Sequence, residues 1–423
     1  NDPRYQAYVE ILKEELIPAM GCTEPIALAY AAAKAREVLG VLPDSVQLQV
    51  SGSIIKNVKS VIVPNTGHLK GMEAAVAAGI IAGSAEKELE VISEVSEEKK
   101  SAIRDYLQTV PITIEHTEQG HVFDIVVTER CGQDYARVRI ADYHTNICRI
   151  EKNGTVLYEV PRLDETVQEN ARADRSLLNM QDIWDFAETA DLRDVADLLE
   201  RQIRYNNAIA EEGLLGDYGA NIGRVLLTTY GNDVSNRAKA KAAAGSDARM
   251  NGCELPVIIN SGSGNQGITC SVPLIEYAKE LHSGKEKLYR ALIISNLVAI
   301  HEKTGIGTLS AYCGAVSAGA GAGAGIVYLC GDGYQAAIHT VVNALAIVSG
   351  IVCDGAKASC AAKIASSVDA ALLGYNMYKC NQEFKGGDGI VMKDIETTIK
   401  GIGRLGKDGM RQTNEEIIRL MMS

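Results

Sequence analysis

Trp and Phe are nearly missing: the 423 residues include one Trp and three Phe, and even with 17 Tyr the aromatics make up only 5%. A core of this size must then be filled with small aliphatic residues. Forty glycines and abundant alanine supply them, and small side chains let helices approach closely, so a tightly packed helical core is expected. Basic residues are outnumbered 42 to 54, leaving a net charge of −12. Such a chain repels phosphate backbones and anionic bilayers, which excludes nucleic acid and membrane as principal partners. The first twenty residues carry Arg4, Glu10, Lys13, Glu14 and Glu15 and no apolar stretch, so no secretory signal is expected and a cytoplasmic location is. Ten cysteines in a reducing compartment serve metals, catalysis or packing rather than a disulfide scaffold.

Other absences narrow the chemistry. There is no H-E-x-x-H, no C-x-x-C, and no Gly-Lys-Ser/Thr after either glycine-rich loop, so zincin and P-loop readings fail. No dinucleotide fingerprint stands in a βαβ context, and no lysine can be assigned to pyridoxal phosphate. No 20–50-residue repeat or low-complexity linker divides the chain. Two long apolar stretches, 309–331 and 336–353, do not read as membrane spans: the first is mostly Gly, Ala and Ser, and the second contains His339 and Asn343. The Gly/Ala stripe 318–325 reads as packing.

At this length two domains are expected. Residues 4 to about 18 form an amphipathic helix with Tyr5, Tyr8, Val9, Leu12 and Leu16 on one face. Gly21-Cys22-Thr23-Glu24-Pro25 interrupts it, with Thr23 as N-cap of an alanine-rich helix running to Leu39. From Ser45 the pattern turns to alternation. Short strands are read at 46–50, 112–116, 121–128, 135–141, 146–151 and 155–160, with turns at Gly120, Gly132 and Asn153-Gly154. After Pro161 helices dominate. The fold class is therefore α+β: a helical catalytic domain (1–44 and 163–423) with an inserted α/β domain (45–162) containing an antiparallel sheet.

Three features carry chemistry. Cys353 and Cys360 flank Asp354-Gly355, and Cys313 lies earlier. In one continuous helix thiols seven residues apart stand roughly 10.5 Å apart along the axis. Gly355 can end a helix and fold the two together, and three thiolates so gathered suit a soft metal or an iron–sulfur cluster. Buried cysteines also merely pack, and spacing alone does not decide. Second, Ser51-Gly52-Ser53 and Ser261-Gly262-Ser263-Gly264-Asn265 each follow an apolar run. Their backbone amides and hydroxyls suit a carboxylate, or are simply tight turns that need glycine. Third, Cys22 precedes a helix N-terminus, where a thiolate is stabilised. It is a candidate base, nucleophile or metal ligand, or a small residue at a bend.

Together, Gly21-Cys22-Thr23-Glu24-Pro25, Lys56-Asn57-Val58-Lys59, Ser261-Gly262-Ser263-Gly264-Asn265-Gln266-Gly267 and Cys313…Cys353-Asp354-Gly355…Cys360 resemble the L-cysteine desulfidase family. That family is related to the iron–sulfur L-serine dehydratase alpha chain. The resemblance runs in the same order over nearly the whole chain. It implies a [4Fe–4S] cluster held by Cys313, Cys353 and Cys360, with one iron open to substrate. It further implies Cys22 as base or resting fourth ligand, and Lys56, Asn57, Ser261, Ser263 and Asn265 as substrate-binding candidates. The implied reaction is β-elimination on a small amino acid, L-cysteine to pyruvate, ammonia and sulfide, with L-serine dehydration by the same mechanism as the alternative. Of the Ser-His-Thr motif of the serine dehydratases, the nearest counterpart is Tyr143-His144-Thr145-Asn146. A non-catalytic thiol-rich binding protein and a structural helical module are the readings from other classes. Close-packed small-residue helices are also compatible with a homodimer.

Overall fold

The computed structural model describes residues 2–20, 22–117, 122–142, 144–160, 172–307 and 310–423. Gly21, Gly120, Tyr143 and the expected domain border at 162/163 lie outside the described residues. In chain order the elements are α1 (Pro3–Glu15), β1 (Pro18–Met20), α2 (Thr23–Leu39), β2 (Ser45–Val50), α3 (Gly52–Val58), α4 (Gly71–Ala82), α5 (Glu97–Thr109), β3 (Ile112–His116), β4 (Asp124–Cys131), β5 (Asp134–Ala141), β6 (Ile147–Lys152) and β7 (Thr155–Glu159). There follow α6 (Met180–Thr189), α7 (Ala196–Leu215), α8 (Ile222–Tyr230), α9 (Val234–Met250), β8 (Pro256–Ile258), α10 (Gly264–Glu280), α11 (Lys285–Ile306), α12 (Gly314–Leu329), α13 (Tyr334–Val348), α14 (Ser359–Lys379), α15 (Ile395–Arg404) and α16 (Arg411–Met422). This is an α+β protein. It divides into a helical unit, Asn1–Gly21, Gln168–Cys353 and Ala358–Glu416, and a sheet unit, Cys22–Val167, Asp354–Lys357 and Ile417–Ser423.

In the sheet unit six strands lie in the order β3-β2-β4-β5-β6-β7. The expectation of an antiparallel sheet needs one correction: β2 pairs parallel with β3, Val46 opposite Ile112. The connection between them holds three helices, long enough for the crossover a parallel pair requires. The remaining neighbours are antiparallel. Asn153 and Gly154 both take positive φ, 49° and 82°, and close a two-residue hairpin with Lys152 opposite Thr155, the turn that Asn-Gly favours.

The helix α2 belongs to this unit, whereas the sequence reading grouped residues 1–44 with the helical domain. Its alanines explain the difference. Ala27, Ala29, Ala31, Ala32, Ala33 and Ala35 are all buried, so the helix is apolar around most of its circumference and needs cover on more than one side. It packs on α4 and on β4 and β5. At Gly79 a Cβ would overlap the Ala29 carbonyl, so the two helices touch backbone to backbone.

In the helical unit α12 runs among α10, α11, α13 and α14. Its glycines divide the work by face. A Cβ on Gly319 or Gly323 would strike Ser367 or Ala371 of α14, and one on Gly321 or Gly325 would strike Ser295 or Ala291 of α11. The Gly/Ala stripe is thus a packing device. The helix α1 is shorter than its pattern predicts, ending at Glu15. Pro18 disfavours helical backbone at Ile17, and Pro18–Met20 instead pairs antiparallel with β8. Among the described residues no helix is long and apolar enough to cross a membrane.

Candidate functional site

Three of the ten cysteines of the sequence come together in the helical unit. Tyr312 and Val352 form an antiparallel bridge. Beside it the Cys353 amide donates to the Ala311 carbonyl at 2.6 Å, and the Cys313 amide donates to the Ile351 carbonyl at 3.1 Å. This short ladder holds Cys313 alongside the segment that carries Cys353. Cys313 is also the N-cap of α12, and Cys360 sits in the first turn of α14. The chain from 351 to 358 is not helical, and Gly355 within it has φ 95°. The break anticipated at that glycine is therefore present.

Burial pushes the Cys313 thiol up to about 11, and the charges of Cys353 and Cys360 push in the same direction, so the three sulfurs feel one another. The Ala315 amide and the Lys363 ammonium act in the opposite direction. Lys363 donates to the Val352 carbonyl at 2.7 Å, which anchors a cation beside the thiols. Sequence reasoning missed Lys363. Its signal was its place three residues after Cys360 on one helix face. Among the described residues no cysteine forms a disulfide, and no three His, Cys, Asp or Glu close around a point as a single metal ion requires. The three side chains gathered here are all thiols, and two of them, Cys313 and Cys360, stand at helix N-termini, where negative charge is favoured.

The glycine-serine loop follows β8 in the same unit. Asn260 and Ser263 pair with each other through their backbones at 3.1 and 3.0 Å. Ser261 and Gly262 between them have φ of 50° and 77°, so the loop is a tight turn. A buried amide chain fixes it. Gln202 and Asn296 exchange hydrogen bonds at 2.9 and 2.8 Å, Asn260 donates to the Asn296 side chain at 3.0 Å, and Ser261 donates to Asn260 at 2.8 Å. Ser263 caps α10 by accepting from the Gln266 amide at 3.4 Å. The single proton of Ser261 is thereby committed, while Ser263 keeps its own to donate. Asn265 accepts from Arg249 at 3.4 Å. Gln202 and Asn296 come from helices distant in sequence, Arg249 from the helix before β8, and none carries a motif, so no sequence signal pointed to them.

A second polar cluster lies in the sheet unit. Cys22, 6% exposed, is the N-cap of α2, whereas Thr23, expected there, is the first helical residue. The Cys22 sulfur stands 3.4 Å from Glu24 Oε2 and 3.4 Å from the Asn57 carbonyl. Asn57 donates to Glu24 Oε1 at 3.4 Å. The Thr23 hydroxyl is 2.8 Å from His144 Nε2, which is 3.8 Å from Glu24 Oε1. The Phe123 ring meets the imidazole edge-on with centroids 4.7 Å apart. Lys56 is buried, and its carbonyl accepts from the Ala356 amide at 2.8 Å. Gly355 packs so closely there that a Cβ would overlap the Lys56 carbonyl oxygen. Of the expected site residues, Cys22 and Asn57 meet here, with His144. Cys313, Cys353, Cys360, Ser261, Ser263 and Asn265 lie in the helical unit.

Comparison with known proteins gives one family. Residues 86–419 match the serine dehydratase alpha chain. Among relatives, the chain is 61% identical over 422 residues to a UPF0597 protein of Desulfitobacterium hafniense, covering 100% of this chain and 98% of that protein. It is 52% identical to a UPF0597 protein of Lachnoclostridium phytofermentans over 99% of this chain and 100% of the relative. To a UPF0597 protein of Treponema denticola it is 47% identical, over 99% and 98%.

Proposed function

The chain belongs to the serine dehydratase alpha chain family, and from that premise we propose that it is a lyase removing a β-substituent from a small amino acid, L-cysteine before L-serine. Cys313, Cys353 and Cys360 would hold a [4Fe–4S] cluster. The observation that carries this reading is the gathering of these three thiols by the 311–313 and 351–353 ladder and the start of α14. An all-sulfur set suits an iron–sulfur cluster, whose several irons accept ligands spread more widely than a lone ion does. When bound, such a cluster supplies a Lewis acid for the departing β-substituent.

The chain's own residues supply the rest. The Cys22 sulfur, with Glu24 Oε2 beside it to take its proton, is the candidate base for the α-proton. His144 and Asn57 steady Glu24 from its other oxygen. Ser263, with a hydroxyl proton to donate, binds and orients the substrate at the start of α10. Loss of the α-proton and of hydrosulfide from L-cysteine leaves aminoacrylate, which water converts to pyruvate and ammonia.

Pyruvate release from L-cysteine and from L-serine, measured on anaerobically reconstituted protein, tests the proposal. Turnover that follows iron and sulfide content supports it, and the better substrate fixes the leaving group. A fully loaded protein that releases pyruvate from neither overturns it.

A further inference from the structure

Arg249 closes α9 beside the glycine-serine loop, and its charge is unanswered. Its Nε is buried without a hydrogen-bond partner, and no carboxylate among the described residues pairs with it. Its polar contacts are the Asn265 side-chain oxygen at 3.4 Å and the Met250 sulfur at 4.0 Å. A Cβ on Gly264 would overlap the guanidinium, so the glycine at the first position of α10 makes room for Arg249 against that helix start. A second polar side chain is left in the same state. Gln266 is 6% exposed, and its Oε1 is buried with no partner. A Cβ on Gly314 would overlap the Gln266 carboxamide, so that amide lies against the residue next to Cys313. A buried polar atom left unmade costs roughly 1–3 kcal/mol, and here two such atoms flank one helix turn, with a glycine cleared for each.

A guanidinium and an amide oxygen answer the two charged ends of an α-amino acid. The geometry points to Arg249 as the receptor for the substrate's α-carboxylate and to Gln266 Oε1 as the acceptor for its α-ammonium. This rests on the lyase reading for the identity of the ligand; it adds Arg249, which the loop motif does not contain, and gives Gln266 a role that the resemblance did not assign. The fork of Arg249 suits a carboxylate, the Ser263 hydroxyl and the α10 N-terminus add to the same charge, and Gln266 links the binding end to the cysteine end of the unit.

The test is anaerobic calorimetry with L-alanine, which has both charged ends and no leaving group, and with pyruvate, which lacks the ammonium. Both cluster-loaded and iron-free protein are titrated, with inorganic phosphate as a non-carboxylate anion. In both forms Arg249→Gln should weaken L-alanine and pyruvate at least tenfold, with Arg249→Lys recovering part of the loss and iron content unchanged. Gln266→Leu should weaken L-alanine at least fivefold and leave pyruvate within twofold. In the loaded enzyme Arg249→Gln should raise KM more than it lowers kcat. Equal affinities in wild type and Arg249→Gln, tighter binding of phosphate than of L-alanine, or no L-alanine binding by wild type would overturn the assignment. Affinity is read independently of turnover, so an inactive but L-alanine-binding protein would sink the lyase reading alone.

Discussion

Thr23 Oγ1 and His144 Nε2 lie 2.8 Å apart, joining the first residue of α2 to the turn between β5 and β6. The contact leaves His144 within 3.8 Å of Glu24 and so ties the imidazole to the carboxylate beside the Cys22 sulfur. Under the lyase reading, His144→Asn should lower kcat by about a hundredfold, the scale of a lost acid–base partner. Thr23→Val should cost about tenfold, since it removes only an orienting bond. Iron content should stay at the wild-type level in both. Steady-state kinetics with iron analysis checks this, and unchanged kcat in His144→Asn would remove the imidazole from the mechanism.

Under the cluster reading the cysteines should separate into those whose loss removes iron and those whose loss does not. Cys353→Ser and Cys313→Ala should each halve iron per chain or worse after reconstitution. Cys270 is wholly buried, and burial foremost, with the Glu302 charge adding to it and the Ser295 hydroxyl opposing, holds its thiol well above the ordinary range, so Cys270→Ala should keep full iron and lose about 1 kcal/mol of stability. Cys22→Ala should keep iron and lose turnover. Iron and sulfide assays on the four variants decide it, and full iron in Cys353→Ser would dissolve the ligand set.

Gly355 should tolerate no side chain. It has φ 95° and presses on the Lys56 carbonyl, two residues after one proposed ligand and five before another. Gly355→Ala should destabilise the protein by about 2 kcal/mol or more and reduce iron retention. Gly350, with open space where a Cβ would stand, is the control, and Gly350→Ala should shift stability by less than about 0.5 kcal/mol. Denaturant titration compares the pair, and equal shifts would deny the crossing any special tightness.

Asp247 gives a pH signature. Burial raises its carboxyl from 3.8 to about 6, against the opposing hydrogen bonds from the Ile222 and Ala220 amides. Between those values the folded chain keeps a proton that the unfolded chain has released. The stabilisation from this group is therefore fully present below about 4 and is lost as pH rises through about 6. Asp247→Asn, which mimics the protonated form, should melt above wild type at pH 8, with the gap closing near pH 4. A gap that widens on acidification would reverse the sign.

What was legible in the sequence was whatever repeats locally. Alternation located the six strands of the sheet unit to within a few residues, Asn153-Gly154 announced its hairpin, and Gly355 announced a break between two cysteines. The cap of α2 was misjudged by one residue because Thr is the commoner N-cap and Cys22 makes no capping bond. The parallel pairing of β2 with β3 left no mark in either strand, since register depends on the length of the connection between them. Arg249, Gln202 and Asn296 were illegible for a related reason. Each is an ordinary polar residue on a long helix, and only packing reveals that it faces a loop made elsewhere in the chain. That the Arg249 Nε lacks a hydrogen-bond partner is likewise a property of its surroundings.

A Cβ on Gly52 would overlap the Ile418 side chain, and Ile418 is 4% exposed within the core of the sheet unit. These two residues are separated by nearly the whole chain, yet they fill the same space. On the ribosome, strands β2 to β7 therefore emerge long before the side chain that closes their core. Because Ile418 lies in α16, this contact of the sheet unit can form only after every strand of the sheet and every helix through α15 has been made.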